Sequence, residues 1–201
     1  MKVGSTDVAF SASTKEQQAK RGSRAQYERV ERAGGWSNRV TPDLVQFLAS
    51  VRSFYLGTAS ADGQPYIQHR GVPPGGLRVI DETTLGFADY GGNKQYITLG
   101  NLAENPKAFI FIMDYANRRR LKLWGRARYI EDDAALLQRL SETTLGAPQR
   151  AIVFDIAAWD RNCPQHIPQR FEAADVAKAL ASRDQRIAEL EEQIAKLRAD
   201  V

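Results

Sequence analysis

Tight-turn signals break the chain repeatedly between Ser53 and Trp159, and that punctuation restricts the fold more than any other feature. Asp62-Gly63 separates Ser53 to Ser60 from Pro65 to Arg70, which is the pattern of a two-strand hairpin. Gly71 to Gly76 reads as a loop. Asp81-Glu82 divides the short runs Leu77 to Ile80 and Thr84 to Ala88. Asn117-Arg118 joins Lys107 to Tyr115, a continuous apolar strand expected to be covered on both faces, to Arg119 to Ile130. In that last run Leu121, Leu123, Ala127 and Tyr129 alternate with Lys122, Trp124, Arg126 and Arg128, the period of a strand with one buried face. Arg150 to Trp159 is a further strand.

Helices punctuate the same pattern. Ser13 and Glu16 have capping-box spacing and predict a polar helix from Thr14 to Arg32, stopped by Gly34 and Gly35. Thr41, Pro42 and Asp43 start an amphipathic helix through Leu44, Val45, Phe47 and Leu48. Asn93 to Glu104 reads as a helix ended by Asn105-Pro106, and Asp132 to Thr143 as another. The expected fold is mainly β with flanking helices: short strands joined by tight turns into a small antiparallel barrel.

Composition narrows the function classes. With 43% hydrophobic and 26% charged residues, the chain has the balance of a globular protein that is not membrane-embedded. A net charge of +4 falls short of what would indicate nucleic-acid binding, even with the basic turn Arg118, Arg119, Arg120. No run approaches the length of a membrane span. The single cysteine, Cys163, excludes an intrachain disulfide, and a cytoplasmic protein is expected. Two histidines and one cysteine do not make a typical zinc site, so no metal is expected.

The richest chemistry lies between Phe87 and Pro106. Gly91 and Gly92 lead into Asn93, Lys94, Gln95, Tyr96, Thr98 and Asn101, a segment of hydrogen-bond donors and one cation. Glycines permit close backbone approach, and amides at a helix start attract anions. The segment reads as a phosphate cradle.

The C-terminus is different. Leu180, Ile187, Leu190, Ile194, Leu197 and Val201 form a seam at heptad spacing, with isoleucine at a and leucine at d. That choice favours a parallel two-stranded coil, although Arg183 occupies a d position. The alternative is an amphipathic helix lying on its own domain. Three regions are expected: a tail and polar helix (1–40), a barrel (41–172) and a coil-like helix (173–201).

Four segments together resemble the pyridoxamine 5'-phosphate oxidase-like FMN-binding split-barrel family. They are FYLGTASADGQPYIQHRG (54–71), TLGFADYGGNKQYITLGNLAENP (84–106), RRRLKLWGRAR (118–128) and WDRNCPQHIPQRF (159–171). The resemblance implies a six-stranded antiparallel Greek-key split barrel that forms a homodimer with FMN at the interface. It implies cofactor contacts along Gln68, His69, Arg70 and Gly71, with Arg70 as a phosphate partner. Further contacts would come from Ala88, Asp89, Asn93, Lys94, Gln95, Thr98 and Asn101, and from Lys122 on the following hairpin. Trp159, His166 and Arg170 match the stretch that approaches the flavin from the partner chain. Gly92, Asn93 and Lys94 replace the serine-arginine-lysine run of true pyridoxamine 5'-phosphate oxidases. The region at Asn162 to His166 lacks their substrate-phosphate constellation. The implied activity is therefore an FMN-dependent oxidoreductase acting on another small molecule or a nicotinamide nucleotide. The alternatives are a flavin carrier or sensor without turnover, or a split barrel using haem or deazaflavin. No catalytic residue is assigned.

Overall fold

A computed structural model of the chain describes residues 5–141, 146–161 and 165–199. The chain divides into a larger unit, Met1–Met113 with Arg120–Cys163, and a smaller one, Asp114–Arg119 with Pro164–Val201.

The larger unit begins with a 3-10 turn, Ser5–Val8, and two short helices, α1 (Ala12–Lys20) and α2 (Arg24–Arg32). The single helix expected from Thr14 to Arg32 is thus two. Gly22, at φ 78, breaks it, and the cap is Ser11, whose hydroxyl accepts from the Thr14 amide at 3.2 Å. Helix α3 (Pro42–Ala49) forms as its signature predicts. Thr41 caps the Leu44 amide, proline takes the first turn, and Leu44, Phe47 and Leu48 are buried.

Seven strands follow: β1 (Ser53–Ala59), β2 (Pro65–Gly71), β3 (Arg78–Val79), β4 (Thr84–Asp89), β5 (Lys107–Asp114), β6 (Arg119–Ile130) and β7 (Arg150–Arg161). They make one antiparallel sheet in the order β2-β1-β5-β6-β7-β4-β3. The expected six-stranded barrel is corrected to a seven-stranded open sheet, because the two-residue β3 adds to the free edge of β4. The sheet is nevertheless strongly curled. β1 and β4 are four steps apart in the order, about 19 Å if the sheet were flat. Yet the Phe54 and Phe87 rings, one from each, meet edge to face at 5.0 Å between centroids. The curl encloses one core built from α3, β1, β4, β5, β6 and β7.

Strand β5 corrects a second expectation. Ala108, Ile110 and Ile112 point into the core, while Phe109, Phe111 and Met113 lie half-buried on the outer face. β4 is buried on both faces along its whole length, as β7 is from Ala151 to Phe154. Leu85 and Phe87 enter the main core, and Ala88 packs with Leu140 and Ala151 beneath α5 (Ala134–Leu140).

A bulge interrupts β6 between Trp124 and Gly125. A Cβ on Gly125 would sit 2.2 Å from the Asp155 carbonyl oxygen and 2.7 Å from the Phe154 ring. Neither backbone nor a core ring can give way cheaply. Gly125→Ala is expected to cost about 3 kcal/mol or more, read as a lowered denaturant midpoint. A midpoint within error of the parent would contradict this packing.

In the smaller unit, Asp114 organises the turn between β5 and β6. It accepts from the Asn117 amide at 3.0 Å and from Arg119 Nε at 2.9 Å. Burial pushes its carboxyl up, but hydrogen bonds from Arg119 and Asn117 outweigh that and hold it below the usual aspartate value. A lowered folded pKa contributes stability above the unfolded value, and that contribution is lost as pH falls through the folded one. Asp114→Asn is therefore expected to flatten the acid limb of the stability–pH profile and leave its shape near neutrality unchanged. The rest of this unit is dominated by helix α6 (Ala173–Ala199). Among the described residues, no helix is long and apolar enough to cross a membrane.

Candidate functional site

Alternation along β2 sends Tyr66, Gln68 and Arg70 to one side and Ile67 and His69 to the other. β2 and β4 are five steps apart in the sheet order, yet the Arg70 guanidinium forms an ion pair with Asp89 at the end of β4. The curl therefore brings the two strands together without a backbone ladder, and side chains bridge the seam. Arg150, at the start of β7 and in register with Asp89, binds the other carboxylate oxygen at 2.9 Å. Its Nε donates to Glu131 at 2.9 Å. Burial would depress the Arg150 guanidinium, but its bonds to Glu131 and Asp89 raise it above the ordinary arginine value.

This triad forms the floor of a cleft of about 220 Å³. The loop after β4 forms one wall. Asn93 closes on Gln95, accepting from its amide and donating to its side chain, both at 3.1 Å. Lys94 and Tyr96 adopt left-handed backbone conformations, at φ 60 and φ 54. A right-handed helix cannot contain them, so α4 starts at Ile97 and runs to Glu104, later than the expected Asn93. Tyr96 takes the cap position and offers no side-chain cap, so the leading amides of α4 lie uncapped where Ile97, Thr98 and Leu99 line the cleft. Thr98 donates to Gln68 at 2.8 Å, tying α4 to β2.

Among the described residues the cleft is thus lined by three cations, Arg70, Lys94 and Arg150, and one carboxylate, Asp89, with Glu131 as a second partner of Arg150. Lys94 has no ion-pair partner among the described residues. Arg70 Nε is buried without a hydrogen-bond partner, and the Arg70 side chain is only 16% exposed. A buried donor left unpaired is costly. The arrangement favours an anion with several acceptor oxygens, which could meet a guanidinium, an ammonium and helix-start amides together. Tyr66 also lines a second, more apolar groove of about 700 Å³ on the outer sheet face, with Ile67, Phe109 and Trp124.

Of the residues proposed from sequence, Gln68, Arg70, Asp89, Asn93, Lys94, Gln95 and Thr98 meet in this cleft. The others lie elsewhere. His69 is on the opposite face of β2, its ring 5.4 Å from that of Tyr55. Gly71 is exposed at the end of β2. Ala88 is packed under α5. Asn101 is buried and donates to Thr58 at 3.0 Å, fastening α4 to β1. Lys122 pairs with Asp160 at 2.9 Å and lies over the stacked rings of Trp36 and Trp124. Trp159 donates to the Arg39 carbonyl at 2.8 Å, which is a packing role. His166 and Arg170 belong to the smaller unit, where Arg170 lies 4.9 Å over the Tyr115 ring. Cys163, with Asn162 and Pro164, lies outside the described residues. Sequence reasoning missed Arg150, Tyr66 and Gln149. Arg150 looks like the solvated start of an apolar strand, and only the β4–β7 register reveals its partner.

The family model described as pyridoxamine 5'-phosphate oxidase matches residues 40–163. No curated protein matches the chain. Among solved structures, HupZ of Group A Streptococcus is 16% identical, with 66% of this chain and 99% of that chain covered and a TM-score of 0.52. General Stress Protein 26 of Bacillus anthracis is 13% identical over 58% of this chain and 89% of that one, with a TM-score of 0.45. A protein of Clostridium acetobutylicum related to general stress protein 26 is 16% identical over 65% and 92%, with a TM-score of 0.43. At such identities the likeness to HupZ concerns the fold. The family match covers more than half of the chain, including every strand of the curled sheet and the cationic cleft at its seam: the chain belongs to the pyridoxamine 5'-phosphate oxidase-like split-barrel family.

Proposed function

We propose that the cleft holds the phosphate of FMN and that the protein is an FMN-dependent oxidoreductase. The observation that carries this is the meeting of Arg70, Lys94 and Arg150 at uncapped helix-start amides, with Arg70 Nε buried and unpaired. Arg70 and Arg150 would bind phosphate oxygens through guanidinium forks, and Lys94 would close over them as a point charge. Thr98 and Gln68, already bonded to each other, would fix the seam on which the anion rests. The groove sharing Tyr66 offers an apolar wall for a planar ring system beside the polar pocket. Bound flavin supplies hydride and one-electron transfer, while the protein supplies binding and orientation.

No residue of the cleft is assigned as a general acid or base. The substrate is proposed to be a small organic molecule or a nicotinamide nucleotide. The outer face around Tyr55 and Ile67, exposed by 36% and 68%, supports a homodimer of barrels that shares the ring-binding side. The deciding experiment is anaerobic stopped-flow mixing of FMN-loaded protein with NADH and NADPH. Bleaching of the flavin absorbance by either nucleotide is expected. Bound flavin that neither reduces would rule out the reductase reading and favour a carrier or sensor.

A further inference from the structure

Helix α6 runs without interruption for 27 residues, and none of its described side chains is buried. A solitary helix draws little stability from propensity alone, and in proteins an apolar face is normally covered. On α6 that face is a heptad seam. Leu180, Ile187 and Ile194 take a positions, and Val176, Leu190 and Leu197 take d positions. All six are between 41% and 68% exposed. We infer that α6 pairs in parallel with α6 of a second copy of this chain.

Three features select that occupant. Isoleucine at a with leucine at d is the choice of parallel two-stranded coils. The flanking charges are compatible with a second copy in register: Arg186 at g would face Glu191 at the next e of the other chain. The remaining g–e pairs, Ala179–Asp184 and Gln193–Arg198, contain no like charges. Arg183, the one charged residue at d, is followed by Asp184 at e, so each chain would bring a carboxylate to the layer where the two arginines meet. In an isolated chain Arg186 reaches only Glu189, at 2.8 Å on its own helix. A parallel pair has its twofold axis along the coil, so it is compatible with a symmetric dimer. The inference does not depend on the flavin reading, since no cleft residue takes part.

The test uses the full chain with Cys163→Ser, so that an introduced thiol is the only one. Ile187→Cys at a would bring two Cα atoms within disulfide reach, whereas Glu192→Cys at f would hold them apart on opposite outer faces. Under mild oxidation at micromolar protein, Ile187→Cys is expected to form an intermolecular disulfide at least about a hundredfold faster than Glu192→Cys. Adding Leu190→Lys, which places like charges in the seam, should return it to the slow rate. Equal rates for the two cysteines would overturn parallel pairing, whether α6 is antiparallel or covered by something else. A fast rate that Leu190→Lys leaves unchanged would overturn the assigned seam.

Discussion

Replacing Arg70 and Lys94 together by alanine is expected to weaken FMN binding by about 3–4 kcal/mol, roughly two to three decades in Kd. Arg70 should contribute the larger part. Its side chain is mostly buried, its Nε has no partner, and it lies 5.7 Å over the Phe87 ring, which fixes its plane. Charge-assisted bonds from such a group are worth about 1.5–3 kcal/mol each. Lys94 is exposed on its loop, so salt screens it and its share falls toward the lower end. The fold should survive the change, because Arg150 still neutralises Asp89 at 2.9 Å. Titration by quenching of FMN fluorescence measures the loss. An affinity equal to that of the parent would reject the phosphate assignment.

Asp89→Asn is expected to act in opposite directions on stability and on anion binding. The carboxylate is 8% exposed and lies between two guanidiniums that are 16% and 11% exposed. The amide keeps the shape but leaves Arg70 without a carboxylate and Arg150 with Glu131 alone, and breaking a buried ion pair in this way costs about 3–5 kcal/mol. The same change removes a negative charge that competes with phosphate for Arg70 and Arg150. Affinity for inorganic phosphate and for FMN should therefore rise, and added ligand should recover much of the lost stability through mass action. Thermal unfolding with and without phosphate reads both effects. A variant that is destabilised and also binds FMN more weakly would mean that Asp89 serves to aim the arginines rather than to stand in for the anion.

What could be read from the sequence was local. Each hairpin was marked by its own turn residues, and the alternation of Leu121, Leu123 and Ala127 gave the inward face of β6 directly. The cap at Thr41 and the polar loop from Asn93 to Thr98 that lines the cleft were also contained in a few consecutive residues. Features that depend on distant pairing were not legible. Arg150 and Asp89 are 61 positions apart, and nothing near either one announces the other. The late start of α4 follows from left-handed backbone at Lys94 and Tyr96, residue types that usually avoid it. Lys122 has the charge of a cofactor ligand, but Asp160 lies opposite it in the β6–β7 register and claims it. His69 is a different case. The two-residue period of a strand already separates it from Gln68 and Arg70, so its place on the other face was available from sequence and the family resemblance obscured it.

The proposed function requires this cleft to recognise a phosphate group. Its most direct test compares FMN with riboflavin, which has the same ring and ribityl chain and lacks the phosphate, by equilibrium titration of the full-length protein. FMN should bind at least about a hundredfold more tightly, and Arg70→Ala with Lys94→Ala should remove most of that difference. Equal affinities for the two ligands in the unmodified protein would mean that the cleft does not hold the phosphate.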